Sequence, residues 1–352
     1  MTKAEIEIKA RKGQAIKELD LTGMDFREVD LHLARFEKCQ LDGSVFSGKD
    51  LKKTGFTECS FREADFRRCS FEKLFLQNMD FSGANLQEST FNQCHMQESV
   101  FARADFSRSK MHWSFWDKCD FTNARMHRAD LFKSFFSESR LIGSDLTGAN
   151  IQRASFDSAD LRGIILQEAT LQKIIFEYAD LSGHDFTCQK LTEINFTGAN
   201  LSKAILAGAD LTYSVLHGAV LDGADMTGII ARNAMFHGAS LKGVKGRNAD
   251  FRQSYFGEAD LSGGDFRNAD FRGSRLPLSH CMEAHFAEAD CSNCDFSHAD
   301  LTHADFERAN LFMATMHRVK EKKTRYSGAN RTLLIGTDRD LQEAEDWTPT
   351  DT

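Results

Sequence analysis

Ala179-Asp180-Leu181-Ser182-Gly183 is one copy of a five-residue unit that also reads Ala199-Asn200-Leu201-Ser202-Lys203 and Ala269-Asp270-Phe271-Arg272-Gly273. Stepping outward by fives, every central residue from Leu21 to Met316 is Leu, Ile, Met, Phe or Trp, except Ala231, Gly246, Cys281 and Cys291. Two residues ahead of the centre, 49 of the 60 units carry Ala, Ser, Thr, Cys, Val or Gly. A period of five fits neither the 3.6 of a helix nor the 2.0 of a flat strand. One large and one small inward position per unit suit a chain that turns a corner after each unit. Four such sides close a coil, so residues twenty apart fall into one column.

The units resemble the pentapeptide-repeat family, from about residue 19 to 316. The resemblance implies an all-β fold, a right-handed quadrilateral β-helix (a pentapeptide-repeat solenoid) with short N- and C-terminal caps. Sixty units at four per coil give about fifteen coils. At ~4.8 Å per coil these would stack into a rod of roughly 70 Å. The expected organisation is an N-terminal cap over 1–18, the β-helix over 19–316, and a degenerate last coil, cap and flexible tail over 317–352. Twenty-five of the thirty Phe residues are central, so they read as core rather than as aromatic recognition. The family's interior is dry and narrow, which implies no substrate cavity inside the repeat.

In the N-terminal cap, Ile6, Ile8 and Ile16 are expected to cover the first coil, whose edge would otherwise invite strand pairing. Leu333, Leu334 and Ile335 are expected to cap the last coil, and the chain from Thr337 onward, with Pro349, reads as a flexible tail. Met1 to Lys12 carry no signal-peptide core, and no stretch reaches the ~20 apolar residues of a membrane span. The expected location is the cytoplasm, with a signal-peptide-independent export route also compatible. Eight of nine cysteines take inward positions and read as packing thiols, in keeping with a reducing compartment. Between Ile164 and Ile194 the small position instead holds Ile164, Ile174, His184, Gln189 and Ile194, which is expected either to be absorbed by packing or to swell the coils.

A filled interior leaves the surface to act. Three of the four columns just ahead of the central residues are mostly polar; one runs Asp65, Asp105, Asp145, Asp185, Asp225, Asp265 and Asp305. Family resemblance implies that such carboxylates bond nearby backbone. The fourth column runs Phe75, His95, Phe115, Phe135, Ser155, Ile175, Asn195, Val215, Met235 and Tyr255, with Trp113, Phe132, Tyr178 and Tyr213 close by in sequence. Apolar strips on soluble proteins mark binding surfaces, and aromatics and Met are enriched in interface cores. The candidate protein-binding residues are therefore Phe75, Trp113, Phe115, Phe132, Phe135, Ile175, Tyr178, Tyr213, Val215, Met235 and Tyr255. Basic residues cluster from Arg62 to Lys73 and from Arg103 to Lys133, but intermixed acids and a net charge of −8 argue against direct nucleic-acid binding.

Catalytic, cofactor and metal motifs are missing from the sequence: no phosphate-binding loop, no His-Glu-x-x-His and no nucleophile elbow. Cys291 and Cys294 have a C-x-x-C spacing, with His280, His285, His298 and His303 near in sequence. Both sulfurs fall on inward positions, so a zinc shared with those outward imidazoles would require the coil to open. The expectation is no cofactor and no enzyme. Function classes then rank as a non-catalytic scaffold or adaptor binding a protein or a second copy of itself, ahead of a DNA mimic binding DNA gyrase or topoisomerase IV. A bacterial secretion-system effector or cargo-loading accessory protein ranks third.

Overall fold

A computed structural model describes residues 1–347, and the chain divides into two compact units, Met1–Asp180 and Leu181–Thr352. Pro349, read above as part of a tail, lies outside the described residues.

The first unit opens with helix α1 (Lys3–Arg11). A capping box starts it: the Glu5 N–H donates to Thr2 Oγ1 at 3.3 Å, and the Thr2 N–H donates to Glu5 Oε2 at 2.7 Å. Ile6 and Ala10, four apart on one helix face, are buried, whereas Ile8 is 51% exposed. Ile8 therefore does not cover the first coil, because it points away from the face that does. Ile16 is buried, but as the centre of strand β1 rather than as part of a cap.

Strands β1 (Ala15–Lys17), β2 (Arg35–Glu37) and β3 (Gly55–Thr57) form a parallel sheet in which Ala15 pairs with Arg35 and Arg35 with Gly55. The twenty-residue register thus begins at Ala15. Strands β4 (Phe75–Gln77), β5 (His95–Gln97) and β6 (Phe115–Asp117) repeat it, Phe75 pairing with His95 and His95 with Phe115. On the other sides of the coils the same register appears as single-residue parallel bridges, such as Asp65 to Asn85 to Asp105. Pairing stays short because a corner interrupts it in every unit. Positive-φ residues recur at these corners, including Gly48 at 78° and even Trp113 at 57°. The second unit is built alike, with bridges from Asp185–Ile205 to Thr315–Ile335. Each unit is thus a β-solenoid of stacked four-sided coils.

The central side chains fill the coil axis. Phe26, Phe46 and Phe66 stack at 4.5 and 4.7 Å between centroids, and Phe81, Phe101 and Phe121 at 5.1 Å for each step. In the second unit Phe236 lies 4.6 Å from Phe256 with rings 1° apart. Such pairs contribute about 0.5–1.5 kcal/mol each beyond the area they bury.

The Gly246 exception also has a packing reason. A Cβ there would sit 2.7 Å from the Phe266 ring, one coil on, so that ring occupies the space Gly246 leaves. Gly246→Ala is expected to cost about 1–3 kcal/mol, read as a lowered urea midpoint; an unchanged midpoint would mean the ring can move aside.

Eight cysteines are buried and only Cys188 is exposed. Burial pushes the thiols of Cys69, Cys94, Cys119 and Cys281 up to about 12. Because every thiol but that of Cys188 is buried, a thiol reagent should modify Cys188 alone in the folded chain, and Cys188→Ser should abolish labelling until denaturant is added. Fast labelling of further thiols would contradict this packing.

The bulky stretch separates by side chain. Ile164, Ile174 and Ile194 are buried, while His184 and Gln189 are only half-buried. At the C-terminal end the cap differs from expectation. Leu333 and Ile335 are 65% and 50% exposed, and of the three residues expected to cap the last coil only Leu334 is half-buried. The segment read as a flexible tail contains a second helix, α2 (Arg339–Asp346), started by the Asp338 side chain accepting from the N–H groups of Asp340 and Leu341.

Candidate functional site

The β4–β6 sheet alternates outward, inward, outward: Leu76, Met96 and Trp116 point to the core while Phe75, His95 and Phe115 point away. Parallel register then lines the outward rings up. Phe75 meets His95 edge-on at 5.3 Å, His95 meets Phe115 at 5.4 Å, and Phe115 stacks on Phe135 at 4.8 Å with rings 7° apart. This is a ladder of four rings on one side of the first unit. Phe75 and Phe115 are 59% and 42% exposed; His95 and Phe135 are half-buried. His95 Nε2 lies 2.9 Å from Asp117 Oδ2, which orients the ring within the ladder.

At the corner ahead of Phe115, the Trp113 indole is 47% exposed, and Lys133 Nζ sits 3.9 Å from its ring centroid. The same ammonium is 5.3 Å from the half-buried Phe132 ring. Ser155 is buried and ends the ring ladder, beyond which Ile175 and Tyr178 are exposed separately. In the second unit Tyr213, Val215 and Met235 are exposed. The Tyr255 ring folds back over Gly257, where any Cβ would lie 2.3 Å from its hydroxyl, and stands 5.8 Å from His237. Among the sequence candidates, then, Phe75, Trp113, Phe115, Phe132 and Phe135 gather into one patch, joined by His95. Ile175, Tyr178, Tyr213, Val215, Met235 and Tyr255 are not part of that ladder. Apolar exposure is also not confined to this column, since Val100, Ile165, Ile205, Val220 and Ile230 are exposed on the others.

The acidic column has a structural role. Asp65, Asp105, Asp145, Asp185, Asp225, Asp265 and Asp305 each accept the N–H of the residue two positions on, at 2.9–3.4 Å. Several also pair with arginine: Arg67 with Asp65 at 2.7 Å, Arg247 with Asp265 at 2.6 Å. The Arg67 bond holds the Asp65 carboxyl below its ordinary range, and the Thr187 bond does so for Asp185. By contrast, Arg103, Arg108, Lys110, Arg125 and Arg128 form no ion pair among the described residues. Arg108 and Arg128 line a surface groove of ≈ 380 Å³ together with Gln87, Ser107 and Thr147.

Cys291 and Cys294 are buried, and the Cys294 thiol donates to the Phe271 carbonyl at 2.9 Å. They meet none of the nearby histidines; His298 instead faces Glu345 of α2 at 3.1 Å. Sequence reading missed that contact because it took the segment beyond Thr337 as a tail. No helix among the described residues is long and apolar enough to cross a membrane.

Among curated proteins, none is similar enough in sequence to match. Several solved structures match the chain at low identity. A trypsin-treated variant of QnrB1, a plasmid-mediated fluoroquinolone resistance protein, is 19% identical over 60% of this chain and 97% of its own, with a TM-score of 0.40. HetL, a pentapeptide repeat protein involved in heterocyst differentiation regulation from the cyanobacterium Nostoc sp. strain PCC 7120, is 20% identical over 86% and 91%, with a TM-score of 0.16. A pentapeptide repeat protein of the Arabidopsis thaliana thylakoid lumen is 24% identical over 27% and 69%, with a TM-score of 0.24. The family described as Pentapeptide repeats matches in overlapping stretches that run over residues 17–48, 50–187, 190–273 and 279–318. With the register and filled coils described above, that match over most of its length makes the chain a member of the pentapeptide-repeat family.

Proposed function

We infer that the protein is a non-catalytic scaffold that binds an acidic protein partner through the aromatic ladder of its first unit. The observation that carries this reading is the aligned, part-exposed row Phe75, His95, Phe115 and Phe135, flanked by Trp113. Rings already stacked on one another give up little side-chain freedom on binding, which favours them as anchors. Charge gives the partner's character. Residues 101–140 hold eight Lys or Arg against five Asp or Glu, a local +3 in a chain of net −8. An acidic surface with apolar anchors complements that patch. The arginine-paired aspartates support a scaffold over a duplex surrogate, because they break up what a DNA mimic would present as continuous negative charge.

Trp113 occupies a positive-φ corner, so Trp113→Gly relieves backbone strain while deleting the indole. That makes it, with Phe115→Ser, a binding variant whose fold should survive. A partner recovered by the wild-type chain from the native host, then purified, should bind each variant at least about tenfold more weakly, at roughly 2 kcal/mol per anchor. It should also bind more weakly as salt rises. Unchanged affinity in both variants would end this reading. Self-association that the variants abolish would make a second copy the occupant instead.

A further inference from the structure

Helix α2 buries none of its own residues, yet polar groups tie it to the coils of the second unit. Glu345 is the focus. Its Oε1 lies 3.1 Å from His298 Nε2 and its Oε2 lies 3.2 Å from His317 Nε2. The two imidazoles come from consecutive coils, tied by the His298 N–H donating to the His317 carbonyl at 2.8 Å, and their rings meet edge-on at 5.2 Å. His317 is only 3% exposed, so its ring is fixed by the coil around it.

We propose that His298, His317 and Glu345 form a binding site for a divalent transition-metal ion, Zn²⁺ by preference, that ties α2 to the coils. The two Nε2 atoms and the carboxylate oxygen all lie within 4.8 Å of one another, and they are the only such group among the described residues. Two imidazoles and one carboxylate are a donor set suited to zinc, with a fourth position left to water. Arg318 Nη1 donates to Glu345 Oε2 at 3.2 Å and to Asp346 Oδ1 at 2.6 Å. That places a fixing donor on one carboxylate oxygen and leaves Oε1 for the ion, while Asp346 absorbs part of the guanidinium charge. Binding carries a cost at His317. Its Nδ1 accepts the Asp338 N–H at 3.1 Å, which keeps the ring proton on Nε2. Metal at Nε2 moves that proton to Nδ1 and breaks the Asp338 bond, so the ion must offset the loss. The ion-free molecule keeps a hydrogen-bonded latch in its place.

The test uses the full chain, stripped with chelator and dialysed against ZnCl₂ alone, with bound zinc measured by elemental analysis. One ion per chain is expected in the wild type, with little Mg²⁺ bound under the same conditions, because imidazole suits zinc. Glu345→Gln and His298→Asn change a surface helix and a half-buried ring, so the coils should fold in both, and each should weaken zinc binding about tenfold or more. Amide exchange across α2 should slow on adding zinc to the wild type and not to Glu345→Gln. Absence of stoichiometric uptake by the wild type would overturn the proposal and leave the latch. Equal uptake by both variants would also overturn it, because the ion would then be held elsewhere on the chain.

Discussion

Trp116→Ala is expected to lower the unfolding free energy by about 3–5 kcal/mol, whereas Trp116→Phe should cost less than about 1.5 kcal/mol. Trp116 is fully buried and touches rings on several sides: Phe91, Phe101 and Phe121 at 5.4 Å and Phe106 at 5.9 Å between centroids. Alanine removes all of these contacts from a column that neighbouring coils cannot collapse to fill. Phenylalanine keeps most of them and also removes an indole Nε1 that is buried without a hydrogen-bond partner. Relief of that orphaned donor, worth about 1–3 kcal/mol, offsets much of the lost volume. Urea unfolding followed by circular dichroism separates the two. Equal losses for both variants would contradict this, because the ring contacts that phenylalanine keeps would then contribute nothing.

The second large effect is a dependence of stability on pH. His184 stands where a small residue belongs, its ring 4.2 Å from that of Phe186 and its Nε2 buried without a partner. Burial lowers its pKa from 6.5 to about 4. The unfolded chain therefore binds this proton more tightly than the folded one. Stability is intact above the unfolded value and falls as pH drops from there to the folded value, below which the loss levels off. Between about pH 7 and about pH 5 the loss comes to about 2 kcal/mol. His184→Leu should flatten that interval, since leucine suits the apolar surroundings and takes up no proton. The lowered aspartates, such as Asp105 and Asp250, act below the ordinary carboxylate range and so leave the interval clear. An identical pH profile in wild type and variant would mean that His184 is hydrated in the folded chain.

The coils were legible because five-residue spacing is a statement about which side chains reach the axis, and the buried central residues follow it without a slip. The aspartate turns and the buried thiols follow from the same register. The candidate site was legible as a column but not as a patch. Spacing placed Phe75, His95, Phe115 and Phe135 in line, yet only side-chain geometry shows that Phe135 is half-covered by Phe115 and that Lys133 lies over Trp113. The ends were not legible, because no repeat constrains them. Ile8 looked like cap material on hydrophobicity alone, and helical spacing turns it outward. Helix α2 buries none of its residues and is only eight residues long, so it packs no apolar face against the coils that the repeat could announce. Its anchor Glu345 finds His298 and His317 only through the fold.

Residues twenty apart lie in one column on the outside of the first unit, Phe115 bridging to Phe135. In a Cys188→Ser background, pyrene maleimide on a Phe115→Cys, Phe135→Cys chain should give strong excimer emission, since the two positions are bridged partners. A Phe115→Cys, Asp130→Cys chain, labelled on neighbouring columns, should emit as monomer. Excimer from the second pair and none from the first would contradict the register, and with it the aromatic ladder.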